Sequence, residues 1–558
     1  MKERYISLME LCLSAYSDAH IRRYFAEVQR SGLTEHGFPR LTANIGILIA
    51  HGRRQDLLPL FRAMMDFCCT HIPRVQAAND FSVREIICCL RELDQSNILE
   101  KELLDKWRQE LSGIDPQTCY TVKAETPEDP VRNWALYTGV SEFFRQTYGL
   151  CDSREFIDLQ IASQLKWFDE NGMYRDNEES EIHQPVVYDL VARGLFCLLL
   201  HLGYRGKYYS QVDGFLRKAG HLSLQMQSVT GELPYGGRSN QFLHNEAWLA
   251  AIMEFEANRY WQEGDKALAA AYKAGAARAL EDVERWLRKR PIRHIKNRFP
   301  TESGYGCEDY AYFDKYMITA ASFLYAGYLM CNDAIPAKES FPDTPAVFET
   351  SEYFHKLFLR CGDYFAELDL NGDPHYDSSG LGRLHRRGAP SAIALSVPCA
   401  SHPNYRLDLE NPMALSICPG LFRNGKWHFA AEPDVVWKCI TLESTSEQAR
   451  AEFQCHFFEE PVSICYDLNH NGLAIRVAGR GQIGVLLPSL LFDGEVKTKV
   501  FCDRQRLTVS YNGWECAYTT DGQIQSLNRL GGNRNGHYEA FCAVGNQTIS
   551  VCIQIQML

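Results

Sequence analysis

The stretch Leu233-Pro-Tyr-Gly-Gly-Arg-Ser-Asn-Gln-Phe-Leu-His244-Asn245-Glu246-Ala-Trp248 opens as a Gly-rich turn and closes as the start of an apolar helix. Tyr235, Arg238, Ser239, Asn240, His244, Asn245 and Glu246 all fall within it. A helix that only had to pack needs fewer binding and reacting groups. At helical spacing Asn240 and His244 share a face, and so do His244 and Trp248. The stretch therefore predicts one wall of a pocket: an imidazole, a carboxamide and a cation over an aromatic floor. The competing reading is a polar helix start whose side chains cap their own backbone.

Upstream and just downstream the chain reads as helix after helix. Apolar residues recur at helical spacing over 45–67, 83–99, 131–148, 156–168, 186–202, 212–227, 245–260, 266–288 and 309–330. Helices joined by short loops make a bundle, a solenoid or a toroid. A weak repeat favours the toroid. Gly172-Met-Tyr174, Gly231-Glu-Leu-Pro-Tyr235 and Gly304-Tyr305 each place an aromatic after a Gly turn, with another helix following. Loops gathered at one end are where a site is built.

Around 332–345 prolines and small polar residues mark a linker. Beyond it, β-rich runs at 392–397, 435–442, 451–457, 462–466, 473–477, 484–487, 497–501, 506–511 and 548–555 alternate with turns. Asn-Gly at 424–425, 471–472 and 512–513, and Asp-Gly at 521–522, predict hairpin turns. The expected fold is multidomain α+β: an α/α toroid over 1–336, a linker over 337–350, and an antiparallel, sandwich-like β domain over 351–558.

The formal net charge of −12, with no Lys/Arg-dense stripe, argues against nucleic acid as a partner. The nearest approach, RWLRKRPIRHIKNR over 285–298, reads as the basic end of a helix followed by a loop. A second reading has it drawing an anionic substrate to the rim. The N-terminus reads as an amphipathic helix, not a signal peptide, and no stretch is apolar enough to cross a bilayer. Twenty cysteines without a secretory signal imply free thiols in a reducing cytoplasm. Nothing in the sequence decides between a monomer and a homo-oligomer.

Two further clusters carry candidate chemistry. Tyr305, Glu308, Asp309, Tyr310, Tyr312, Asp314, Lys315 and Tyr316 follow the Gly turn at 304. They read either as core and caps or as a tyrosine acid or base beside a histidine. His375, Asp377, Arg383, His385, Arg386 and Arg387 surround a Gly-rich stretch. They read either as a solvated turn or as a carboxylate or sulfate clasp. His375 and Asp377 alone make a weak metal site. Asn171, Tyr174, Arg175 and Asp176 on the first repeat loop are candidate subsite contacts.

A helical toroid followed by an antiparallel β domain resembles the heparinase II/III-like polysaccharide lyases, including the alginate lyases of that type. Those enzymes carry an Asn and a His on one toroid helix, a later Tyr, and a His early in the β domain. The matching positions are Asn240 or Asn245 with His244, then Tyr310 or Tyr312, then His385 or His375. PYGGRSNQFLHNE is also similar to sequences of a glucuronidase family of gut bacteria with a related toroid. Family members often place a metal-binding Asp after the β-domain His; Arg386 and Arg387 stand there instead. No metal and no cofactor is expected.

The resemblance implies cleavage of a uronic-acid-containing oligosaccharide by β-elimination, and the expected cytoplasmic location, which only imported fragments would reach, implies action from a chain end. Removing the proton at C5 requires the neighbouring carboxylate to be neutralised, by Asn245 or Arg238. His244 or a deprotonated Tyr312 takes the proton, and a tyrosine hydroxyl protonates the leaving oxygen. An exo-β-glucuronidase of the same fold would instead pair carboxyls among Glu246, Glu308 and Asp309. Tyr235, Arg238, Asn240, Trp248, Tyr305, Arg383, His385, His375 and Tyr174 would bind sugar in either case. A non-catalytic glycan-binding protein is the third reading.

Overall fold

The computed structural model describes residues 1–176, 183–338, 344–458 and 460–558. The helical part runs α1 (Lys2–Leu13), α2 (Asp18–Ser31), α3 (Gly37–Ala50), α4 (Leu58–His71), α5 (Asn79–Ser96), α6 (Lys101–Ser112), α7 (Pro116–Cys119), α8 (Asn133–Thr147), α9 (Arg154–Gln164), α10 (Val186–His201), α11 (Tyr209–Met226), α12 (His244–Glu263), α13 (Lys266–Leu287) and α14 (Phe313–Met330). Six of these form a closed inner ring: α3 packs on α5, α5 on α8, α8 on α10, α10 on α12, α12 on α14, and α14 back on α3. The remaining helices lie outside it. Burial follows this division. α3, α10 and α12 are buried along almost their whole length, as helices covered on every side must be, whereas α6 buries only Leu104, Trp107 and Leu111 along one stripe. The toroid is thus a property of the packing.

The Gly turns repeat in structure as well as in sequence. Gly172 and Gly231 have φ of 74° and 93°. A Cβ on either would stand 2.3 Å from a carbonyl oxygen of the next outer helix, that of Phe215 or Arg278. Only glycine fits so close to a neighbouring backbone in this conformation. Residues 45–67, read as one helical run, are two helices. The chain turns at Gly52 and Arg54, both with positive φ. The helix expected over 309–330 begins later, at Phe313.

The β part contains a four-stranded sheet ordered β1 (Ala346–Glu349), β2 (Lys356–Cys361), β3 (Tyr364–Asp369) and β4 (Gly380–Arg386). Its first strand lies inside the expected linker, of which 339–343 fall outside the described residues. An eleven-stranded sheet follows: β5 (Pro419–Arg423), β6 (Lys426–Phe429), β7 (Val436–Ser444), β8 (Gln448–Phe457), β9 (Glu460–Asn469), β10 (Gly472–Phe492), β11 (Lys499–Cys502), β12 (Arg506–Tyr511), β13 (Trp514–Thr520), β14 (Gln523–Asn533) and β15 (Gly536–Met557). The small sheet lies between the toroid and the large sheet. Leu357 and Leu359 join the core of the β part, while Phe358 and Phe365 join the core of the helical part.

Several local expectations change. Residues 392–397 lie over a 3-10 turn (Ser391–Ala394) and not a strand. Gly380–Arg386 is a buried strand and not a solvated turn. Near 471–472 the turn is His470-Asn471, and Gly472 already pairs with Asn469, whereas Asn-Gly at 424–425 and 512–513 do close hairpins. Asp521-Gly522 does not, because β13 and β14 pair with successive halves of β15. The tight hairpin lies further on, where Asn533 pairs with Gly536 around Arg534 and Asn535.

Arg534 leaves that hairpin to meet Glu308 of the helical part. Its Nη2 and Nη1 donate to the two carboxylate oxygens at 2.7 and 2.9 Å, and both residues are buried. Removing one partner of such a pair strands the other charge in a poor solvent, at a cost of about 3–5 kcal/mol. Arg534→Met is therefore expected to lower the urea midpoint clearly, and adding Glu308→Gln to recover part of the loss. An unchanged midpoint in Arg534→Met would show that this pair does not tie the two parts together.

Candidate active site

A cavity of about 390 Å³ opens at one end of the inner ring. Every inner helix contributes its first turns to it. His36 and Arg40 come from the start of α3, Ala78 and Phe81 from α5, Arg132 and Asn133 from α8, Val187 and Tyr188 from α10, His244 from α12, and Lys315 and Tyr316 from α14. The residues at the six N-cap positions are His36, Ala78, Arg132, Pro185, Leu243 and Tyr312, and no side chain of theirs caps its helix. Helix starts carry free N–H groups and the positive end of the dipole. Four basic side chains, Arg40, Arg132, Arg238 and Lys315, reinforce that sign. Among the described lining residues the one carboxyl is Asp176. The protein is acidic overall, but this cavity is built for an anion.

The stretch from 233 to 239 forms one wall, fixed by an alternating pattern. The N–H of Leu233 donates to Glu246 at 3.0 Å, that of Tyr235 to Glu367 at 3.1 Å, that of Gly237 to Asp377 at 3.3 Å, and that of Ser239 to Glu308 at 2.6 Å. Gly236, Gly237 and Ser239 all have positive φ, so the segment needs this external support to hold its shape. It presents Arg238 and Ser239 to the cavity. Arg238 donates to Asp176 at 2.7 Å and lies over the Tyr188 ring at 4.3 Å. The other oxygen of Asp176 accepts from Asn133 at 2.5 Å.

Three hydroxyls meet beside Arg238. The Ser239 Oγ is 2.6 Å from the Tyr310 hydroxyl and 3.3 Å from that of Tyr188, and the two tyrosine oxygens are 3.4 Å apart. Desolvation first, then Tyr188 and Glu308, hold the Tyr310 pKa above the usual tyrosine value. The hydroxyl therefore keeps its proton at neutral pH and serves as a donor. Opposite, His244 packs edge-on against Phe242 and Phe323, and no hydrogen bond reaches its Nδ1. Burial, then Arg40, His294 and Lys296, lower its pKa to about 3, so the imidazole is neutral. Phe323 lines the cavity with Trp248 stacked on it at 4.2 Å. Trp248 is therefore one layer below the floor the sequence assigned to it.

Other candidates stand elsewhere, for identifiable reasons. Asn245 is buried and donates to the Ser239 carbonyl at 3.1 Å, closing the turn. Asn240 is buried outside the lining. Glu246 and Glu308 are held in ion pairs with Lys296 and Arg534. Tyr312 and Asp309 open onto a second cavity of about 930 Å³, between the α1–α2 hairpin and the segment 290–314. Tyr305 stacks on Phe299 at 3.5 Å, and Tyr174 is core, its hydroxyl on Gln164. Of the described residues of the first repeat loop, only Asp176 reaches the cavity.

The expected clasp in the β part is not a clasp. Arg383 and His385 alternate on β4 and face the helical part. Arg383 is paired with Glu367 and the Leu233 carbonyl, while His385 Nδ1 meets Ser228 Oγ at 2.7 Å. Tyr235 lies buried between Lys356 and Arg383. His375 is exposed, with Nδ1 on the His402 carbonyl. No described group of three or more His, Cys, Asp and Glu residues stands together as a metal site.

Sequence reasoning missed His36, Arg40, Arg132, Asn133 and Tyr188 as site residues. The signal was present: each is a polar group within the first turn or so of a helix that is otherwise buried.

No family model and no curated protein matches the chain. Among solved structures it is similar to a mutant of heparan sulfate lyase HepC from Pedobacter heparinus, with a TM-score of 0.45, 9% identity, and 94% of this chain and 76% of that chain covered. It is similar to heparinase III with a TM-score of 0.39, 10% identity, and 85% and 77% covered. It is also similar to a glycosyl hydrolase family 88 protein from Bacteroides vulgatus, with a TM-score of 0.38, 11% identity, and 59% and 98% covered. No residue role follows from likeness at this level.

Proposed function

We propose that this protein is a carbohydrate-active enzyme that cleaves an oligosaccharide at a uronic acid residue by β-elimination. The composition of the cavity supports this reading above all. Six helix starts, none capped by its own N-cap side chain, and four basic side chains surround a hydroxyl cluster and a neutral imidazole. Arg238 draws charge from the uronate carboxylate and stabilises the enolate-like transition state. His244 takes the C5 proton. An anion bound beside it opposes the cations that depress its pKa and makes it a better base. Tyr310, aligned by Ser239 and Tyr188, gives its proton to the leaving glycosidic oxygen.

Hydrolysis asks for two free carboxyls flanking the bond. Among the described lining residues Asp176 stands alone, with both oxygens engaged by Asn133 and Arg238. Elimination is therefore the better fit. We carry the division into a helical catalytic domain over 1–336 and a β domain over 351–558 as part of the same proposal.

The assay is direct. Incubated with glucuronate-containing oligosaccharides, the protein is expected to generate the ultraviolet absorbance of an unsaturated uronate. Free uronic acid without absorbance gain would establish hydrolysis and end the elimination reading. Tyr310→Phe is expected to lower kcat by about 10²-fold or more with little change in KM, and His244→Ala to do the same. Tyr312→Phe should stay near wild type; a larger loss there than in Tyr310→Phe would reverse the assignment.

The pH profile follows from the two pKa shifts. A base held at about 3 is free of its proton through the mildly acidic range, and an acid raised above the ordinary tyrosine value keeps its proton past neutrality. Accordingly kcat/KM should be flat across neutral pH, without the inflection near 6.5 of an ordinary histidine. An acid limb centred near 6.5 would show that the group taking the proton is not held at this lowered value.

A further inference from the structure

The deepest part of the cavity holds a charge that nothing described there balances. Arg40, on the first inner helix, is buried. Its Nε lies 2.9 Å from Glu85, and its Nη1 donates to Thr319 Oγ1 at 2.7 Å. Glu85 is shared: Arg84 donates to it at 2.8 Å, and Ser322 at 2.6 Å. Two guanidinium groups and one carboxylate leave this buried group with a net positive charge. Arg40 Nη2 is buried without a hydrogen-bond partner, and Arg40 lines the cavity. Nδ1 of His36, at the start of the same helix, and Nδ1 of His244, at the start of α12, are likewise buried and unpartnered. A buried cation and buried polar nitrogens without partners are costly unless a ligand completes them.

The shape of the cavity adds a second constraint. Below this level Arg84, Trp248, Phe144 and Leu198 are buried, and Arg84, Phe144 and Leu198 line a separate, nearly filled void that does not continue the cavity. Among the described residues the cavity thus has a blind end there, and its volume of about 390 Å³ admits the end of a sugar chain.

We infer that Arg40 receives the carboxylate of the terminal uronate of a chain, seated one sugar beyond the uronate that Arg238 neutralises; loss of the C5 proton from that inner uronate breaks its C4–O bond and releases the terminal sugar, so that the enzyme removes one sugar at a time from a chain end. This rests on the uronate reading above and adds the anchor and the direction of attack. Thr319 and Glu85 position the guanidinium; Arg40 Nη2, pointing at the carboxylate, completes its own hydrogen bonding through the ligand.

The test uses the full chain. Glucuronate is expected to raise the thermal midpoint, while glucose and glucuronamide, which lack the charge, leave it unchanged. Arg40→Gln should weaken glucuronate binding at least tenfold, and Arg40→Lys, which keeps the charge without the fork, should fall between. The lysine variant stands in if the glutamine variant does not fold. On uronate oligosaccharides of defined length, the first products should be chains one unit shorter. Wild-type glucuronate affinity in both Arg40 variants overturns the anchor, as does equal protection by glucuronamide. Early products of mixed length overturn the terminal mode. If glucuronate protects through Arg40 but no substrate is cleaved, the anchor stands and only the elimination reading falls.

Discussion

Four carboxylates hold the segment that forms the wall of the cavity. Glu246, Glu367, Asp377 and Glu308 each accept one N–H from alternate residues between Leu233 and Ser239. They come from α12, from β3, from the loop before β4 and from the turn before α14. The wall of the cavity is therefore suspended between both halves of the molecule. An extended strand would find such acceptors in a neighbouring strand. A segment with three successive breaks into positive φ has no such ladder, and a buried N–H without an acceptor is expensive. Side-chain carboxylates supply the acceptors instead, and each brings a charge that must itself be balanced.

That second demand explains the face of the four-stranded sheet turned toward the toroid. Lys356, Glu367, Asp369 and Arg383 all lie there, buried, on strands whose register sets Lys356 opposite Asp369 and Glu367 opposite Arg383. Lys356 reaches Asp369 at 2.7 Å and Arg383 reaches Glu367 at 3.0 Å. Lys296 does the same for Glu246 and Asp282, and Arg534 for Glu308. An apolar interface of the same size would stabilise the docking as well or better. Buried pairs of this kind give orientation, since they tolerate little sliding, and orientation is what a wall presenting Arg238 and Ser239 requires.

The sequence made the order of elements, the Gly-turn repeat and the placing of Arg238 and His244 along one wall of a cavity legible, because each depends on short-range pattern. What it hid depends on pairing across long separations. Glu246 and Glu308 look like catalytic acids until Lys296 and Arg534 are seen beside them. Tyr310 and Tyr312 differ by two positions in an irregular segment, where no period says which faces inward. β4 escaped because both its faces are buried, so it lacks the polar–apolar alternation that marks a half-exposed strand. Arg40 and Tyr188 sit on helices whose other residues announce only core.

The division of labour among charged groups also bears on the chemistry open to this site. Among the described residues, the acidic side chains near the cavity are engaged by backbone N–H groups, cations or amides. The buried lining atoms without a hydrogen-bond partner include a guanidinium nitrogen of Arg40 and Nδ1 of His36 and of His244. On the proposed reading, a cavity lined in this way is complementary to a negative charge that grows during reaction. An enolate-like state at a uronate develops such a charge; the oxocarbenium-like state of glycoside hydrolysis develops the opposite one. On the elimination reading proposed above, the electrostatics of the wall and the floor favour the reaction whose transition state brings negative charge into the cavity.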